Sequence, residues 1–163
     1  MVFYTFGDKA NKLIIMLSGS FCNANSMEYL YCEMKDNYYI IVPEYNGHYL
    51  GTTFTTRENE SREIIDYLKG NGIETVDLIY GQSMGAEIGV ELMHQLLKSG
   101  IEVKKGFFDG APCIKLSFLY KKFMNFKFKT MINMLKDRKV DEVINWKFLK
   151  NSQMVIPKAC DQC

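Results

Sequence analysis

Asp77-Leu-Ile-Tyr80 runs directly into Gly81-Gln82-Ser83-Met84-Gly85, and Ala86-Glu-Ile-Gly-Val-Glu-Leu-Met-His-Gln-Leu-Leu97 follows. A short apolar run meets a serine flanked by glycines, and a long amphipathic pattern leaves it. That is the strand–turn–helix setting in which G-x-S-x-G forms a nucleophile elbow. A serine in so sharp a turn takes a strained backbone conformation. Its neighbours must be small because strand and helix approach closely there. The bare triplet recurs by chance in roughly 5% of chains of this size, so the flanking strand and helix carry the weight of the reading. The competing reading is an ordinary tight strand-to-helix turn.

The rest of the chain alternates in the same way. Val2 to Phe6 is β-prone, and Lys12 to Leu17 is a continuous apolar run, as expected of a strand buried on both faces. Met27, Leu30, Tyr31 and Met34 make a helical stripe, with Asn25 and Ser26 as expected caps. Tyr38 to Val42 reads as a strand stopped by Pro43. Ile64, Ile65 and Leu68 mark a helix from near Ser61 to Lys69, closed by Gly70-Asn71-Gly72. The helix after Ser83 is expected to bury Ile88, Leu92, Met93, Leu96 and Leu97, and Val103 to Phe108 to form one more strand before Asp109. Strands separated by helices of this length predict an α/β fold, a mostly parallel sheet with flanking helices. Ligands of such sheets sit at the carboxyl ends of the strands, where Ser83 falls.

Composition narrows the class. The chain has 163 residues, 47% of them hydrophobic, and a net charge of +1. These values describe a globular core, not a disordered tail. No apolar run reaches the roughly 18 residues of a membrane span. The start of the chain has neither a basic region nor a signal-peptide core, and five irregularly spaced cysteines fit a reducing compartment, so a cytoplasmic location is expected. Cys160-x-x-Cys163 stands alone, without a second pair or a nearby histidine, and reads as a tail. No phosphate-binding glycine fingerprint or metal cluster is present, so no cofactor is expected.

The loops after the first two buried strands, Ser18-Gly19-Ser20-Phe21 and Pro43-Glu44-Tyr45-Asn46-Gly47-His48, complete a resemblance to the α/β-hydrolase family of serine hydrolases. Members commonly carry His-Gly-x after the first strand, Pro-Asp-x-x-Gly-His-Gly after the next, and Gly-x-Ser-x-Gly at the elbow. Here serine replaces the first histidine, Glu44 replaces the aspartate, and Tyr49 stands where the last glycine would be. The resemblance runs from about Val2 to Pro112. It implies Ser83 as nucleophile, with the backbone N–H groups of Ser20 and Met84 as the oxyanion hole, and an ester, thioester or related acyl substrate. Met84 would be the first helix residue, so its N–H is an unpaired donor at a positive helix end.

The family delivers its acid and histidine after a lid segment, and this chain has only two histidines. His94 lies about 16 Å along the elbow helix from Ser83 at 1.5 Å per residue, out of reach. His48 is on the active-site side, two strands from the elbow and so near 10 Å off. It is read either as a substitute base or as a loop-stabilising residue. Asp109 is either a triad acid or part of a turn, Asp109-Gly-Ala-Pro112.

Residues 1–114 are thus expected to be the hydrolase core, and 115–163 a helical lid-like segment and tail. From Lys115 to Lys150 ten Lys or Arg residues face three acidic ones, with aromatics and methionines interleaved. Met131, Met134 and Leu135 fit one helical face, and Val143, Trp146 and Phe148 another. Such a lid suits an apolar substrate. Without an RNA- or DNA-binding motif, no nucleic-acid partner is expected. The chain stops where the family would begin its last strands, which reads as C-terminal truncation. It also predicts an open sheet edge after Phe108 and a homodimer formed through it, checkable by size-exclusion chromatography. A catalytically dead relative that binds a small apolar ligand or a protein partner is the alternative reading.

Overall fold

The computed structural model describes residues 1–111 and 117–136. The described residues fall into two compact units, residues 1–111 and residues 117–136.

The first unit is built on a five-stranded sheet. Its strands are β1 (Val2–Phe6), β2 (Lys12–Leu17), β3 (Tyr38–Glu44), β5 (Leu78–Gln82) and β7 (Gly106–Asp109), in the order β1-β3-β2-β5-β7. The strands β3, β2, β5 and β7 are mutually parallel, and β1 is antiparallel to β3 at one edge. The order places β2 between β3 and β5, which is why five consecutive residues, Leu13 to Leu17, are buried. Their period of two divides the core. Leu13, Ile15 and Leu17 point into a cluster with Ile41, Ile79 and the helices α2 (Arg57–Gly70) and α3 (Met84–Ser99), through Ile64, Leu68, Ile88, Leu92 and Leu96. Ile14 and Met16 point the other way, onto Ile40, Val42 and the helical segment formed by a 3-10 turn at Ala24–Met27 and α1 (Glu28–Met34), through Met27 and Tyr31. A helix-on-sheet layer on each side satisfies the apolar demand of a central parallel strand.

Several boundaries differ from the sequence reading, each for a local reason. Pro43 does not stop β3, which runs on to Glu44. The ladder with β2 ends at the Ile15–Ile41 pair, and Pro43 lies opposite Phe3 of the edge strand, so no central ladder bond is lost. Helix α2 starts four residues before Ser61, at Arg57, because Thr56 in extended conformation caps it by accepting from the Asn59 N–H at 3.2 Å. The first helical segment begins after Asn23 without a side-chain cap. Ser26 instead donates to the Asn23 carbonyl at 2.7 Å, so neither Asn25 nor Ser26 caps it. Leu97 is 73% exposed, since Leu92 and Leu96 already occupy the sheet-facing stripe of α3.

The strand expected at Val103 to Phe108 is two strands. Glu102–Val103 (β6) pairs with Thr75–Val76 (β4), and β7 pairs with β5 at the same offset of 27 residues. Asp77 makes the break. Its N–H donates to the Leu13 carbonyl at 3.0 Å, while its carboxylate accepts from the Leu13 N–H at 2.9 Å and from Lys104 Nζ at 2.8 Å. The chain is thereby pulled toward β2 between β4 and β5. Among the described residues β7 pairs only with β5, and Phe107 on it is 62% exposed.

The described part of the second unit is the helix α4 (Phe118–Lys136). Ser117 opens it, its Oγ accepting from the Tyr120 N–H at 3.3 Å. Lys127 Nζ lies 5.5 Å from the centre of the Phe123 ring one turn away. No described helix is long and apolar enough to cross a membrane. The second helix expected around Val143, Trp146 and Phe148, and Cys160-x-x-Cys163, lie outside the described residues, as do the side chains of Met131, Met134 and Leu135.

Candidate functional site

The carboxyl ends of β2, β3, β5 and β7 share one end of the sheet, and four chemistry-bearing segments leave from them: Ser18–Phe21, Tyr45–His48, Ser83 and Asp109. Ser83 joins β5 to α3 at φ 53°, ψ −115°. A non-glycine residue in that region of backbone space is strained by about 1–3 kcal/mol. Close packing holds it there. A Cβ at Gly81 would stand 2.5 Å from the Gly85 carbonyl oxygen, and one at Gly85 would meet the carbonyl oxygens of Leu17 and Ser18. The Ser83 N–H donates to the Asp109 carbonyl at 2.8 Å, which continues the β5–β7 ladder to its last residue. Ala86 and Glu87 donate back to the Ser83 carbonyl, so the helix begins at once and the Met84 N–H lies in its open first turn.

The loop after β2 packs beside the elbow. A Cβ at Gly19 would lie 3.6 Å from Ser83 Cβ and 3.9 Å from Cys22 Sγ. The Cys22 N–H donates to the Gly19 carbonyl at 3.3 Å, making Gly19-Ser20-Phe21-Cys22 a tight turn. Two further donors fix the loop at the Cys22 carbonyl, the buried Ser18 Oγ at 3.3 Å and His48 Nδ1 at 2.8 Å. Tyr45, fully buried, donates its hydroxyl to the Ser18 carbonyl at 3.3 Å and meets the His48 ring edge-on at 5.4 Å. Burial pushes the Tyr45 phenol well above its ordinary range, so it acts as a neutral donor.

His48 is therefore tied to the Ser18–Cys22 loop and sits, as its strand order requires, two strands from Ser83. A proton on Nδ1 satisfies the Cys22 carbonyl and leaves Nε2 as an acceptor. His94 is exposed on α3, well beyond its first turns. Asp109 lies opposite Gln82 at the end of β7, exposed, and contributes its carbonyl to the elbow.

Sequence reasoning passed over what anchors the His48 loop. Asn46 donates its N–H to Glu60 at 3.1 Å and its side-chain amide to Glu60 at 3.2 Å and Glu63 at 2.7 Å, and accepts from the Tyr49 hydroxyl at 3.2 Å. Burial raises the Glu60 carboxyl above its usual range, against the pull of the Asn46 donors. At Gly47, φ is 83°, and a Cβ would meet the Phe54 nitrogen at 2.7 Å, so only glycine fits this turn. The signal was Glu60 standing polar on the face of α2 that buries Ile64 and Leu68. Among the described residues no group of three or more His, Cys, Asp or Glu is placed to hold a metal ion.

No protein-family model matches the chain, and no curated protein matches its sequence. Solved structures do match. An α/β-hydrolase family protein from Desulfitobacterium hafniense superposes with a TM-score of 0.71 at 20% identity, covering 83% of this chain and 54% of that one. The chain has an α/β-hydrolase fold. MenH from S. aureus matches at TM-score 0.70 and 12% identity over 95% of this chain and 60% of its own. Carboxylesterases of Nitrososphaera gargenis supply a third match, at 0.66 and 16% identity over 82% and 48%. The chain thus spans about half the length of these hydrolase-fold neighbours. Its strand order and the strained turn at Ser83 are the parts of the fold on which the site rests.

Proposed function

We propose that this chain carries the nucleophile and oxyanion side of a serine hydrolase acting on an ester, thioester or related acyl bond. The observation that carries the reading is the backbone of Ser83, held at φ 53° between β5 and α3 by the close approach at Gly81 and Gly85. In the reaction, Ser83 Oγ adds to the acyl carbon and gives up its proton. The oxygen that becomes negative lies against the Met84 and Ser20 N–H groups. The bond to the alcohol or thiol then breaks, and that group leaves with a proton. Water attacks the acyl-enzyme in the second half. The proton needs a base: His48 Nε2 is the candidate within this chain, and Asp109 ends β7 on the other side of the elbow strand from His48.

The second reading is a hydrolase-like protein that binds a small apolar ligand or a protein partner without turning it over. It draws on His48 being held by the Cys22 carbonyl rather than by a carboxylate. Elsewhere, removing a triad serine or histidine costs about 10⁶ in turnover, so the two readings differ widely in rate. Hydrolysis of p-nitrophenyl butyrate by the chain and by its Ser83→Ala and His48→Ala variants separates them. Turnover lost in both variants supports the first reading. Turnover lost only in Ser83→Ala moves the base to another group, and turnover equal in all three sinks it.

A further inference from the structure

Among the described residues only two other than glycine hold a positive φ: Ser83 at 53° and Phe21 at 61°. The turn closed by the Cys22 N–H on the Gly19 carbonyl puts Phe21 at its third position, where a positive φ ordinarily selects glycine or asparagine. Phenylalanine is disfavoured there by its backbone and gains nothing from burial, for it is 71% exposed. Single apolar side chains on a surface call for no explanation. One set on a backbone it disfavours, in the loop that packs on the nucleophile elbow through Gly19, does. The loop is not free to relax, because Ser18 and His48 both hold it at the Cys22 carbonyl.

We propose that Phe21 is the substrate-contacting platform of this site, and that it takes the apolar acyl chain of the substrate. This deepens the acyl-hydrolase reading by naming the substrate class of the same site. Phe21 stands two residues from Gly19, which packs beside Ser83, and its exposed ring offers an open apolar face. A flexible hydrocarbon laid on it loses water from both partners.

The probe is sodium decanoate below its micelle-forming concentration, titrated calorimetrically into the chain and its Leu97→Ala, Phe21→Gly and Phe21→Trp variants. Leu97→Ala removes an exposed apolar side chain far along α3 and is expected to bind as the parent does. Phe21→Gly should bind about tenfold more weakly, the size of losing roughly half a phenyl ring's burial, and Phe21→Trp should restore binding. Phe21→Gly relieves the strained φ, so its melting temperature should equal or exceed the parent's, which excludes misfolding as the cause. Decanoate binding that is absent, or equal in parent and Phe21→Gly, overturns the proposal. Loss of ester turnover with the decanoate pattern intact would sink the hydrolase reading and leave the apolar platform standing.

Discussion

Gly85→Ala tests the elbow through its packing. A Cβ at position 85 would stand 2.5 Å from the Ser18 carbonyl oxygen, about 0.9 Å short of the 3.4 Å at which ordinary contact begins. The Leu17 carbonyl oxygen lies closer still. Both obstacles are backbone, one of them the last residue of β2, so no side-chain rotation relieves the clash. The N-terminus of α3 must move away from the sheet instead. Overpacking of this kind typically costs about 1–3 kcal/mol, and the rigid partners put this site at the upper end. For a chain of this size that lowers the melting temperature by on the order of 5–10 °C. Gly70→Ala is the control. It sits in the last turn of α2 with nothing within 4 Å and without a positive φ, so it should be neutral or stabilising by roughly 0.5 kcal/mol. Urea unfolding followed by far-ultraviolet circular dichroism reads both. Equal midpoints for Gly85→Ala and the parent would refute the close approach of α3 to β2, and with it the account of why Ser83 is strained.

Three further outcomes are expected. The folded Glu60 carboxyl is raised by burial, so it holds its proton more tightly than in the unfolded chain. Its contribution to stability is therefore full below the ordinary value of about 4.5 and falls as pH rises through the raised one. Glu60→Gln should remove that fall, and a stability difference between parent and variant that stays constant from about pH 4 to 7 would contradict it. Asp77→Ala should cost about 1–3 kcal/mol in urea unfolding because the Leu13 N–H loses its acceptor. Lys104 lowers the Asp77 carboxyl, so that part of the stability is present above its ordinary range and lost as acid drives pH through the lowered value. Ser20→Pro removes one N–H at the second turn position, where proline is favoured. It should leave the fold intact and slow ester turnover about 10²–10³-fold; an unchanged rate would take Ser20 out of the oxyanion site.

The fold was legible where the sequence is periodic over several residues. Lys12 to Leu17 could only be a strand covered on both faces, and the stripe of Ile88, Leu92 and Leu96 could only be the inner side of a helix. The strained turn at Ser83 was legible because the glycines at 81 and 85 state a steric requirement in sequence. What escaped depends on partners far along the chain. That Asp77 interrupts a strand follows from Leu13, 64 residues away, and from Lys104. The passage of β3 through Pro43 follows from where its ladder with β2 ends. Leu97 was misjudged because an apolar residue beside a saturated stripe has nothing left to cover. Phe21 was visible as a residue but carried no signal. Its meaning lies in a backbone angle, and no composition or spacing reports that.

The most direct test of the central claim is stoichiometric labelling with an alkyl fluorophosphonate, read by intact mass and peptide mapping beside the Ser83→Ala variant. One adduct per chain, mapped to the peptide carrying Ser83 and absent from the variant, is the expected result. A folded chain that takes no adduct, or takes one elsewhere, would contradict an activated nucleophile at the β5–α3 turn.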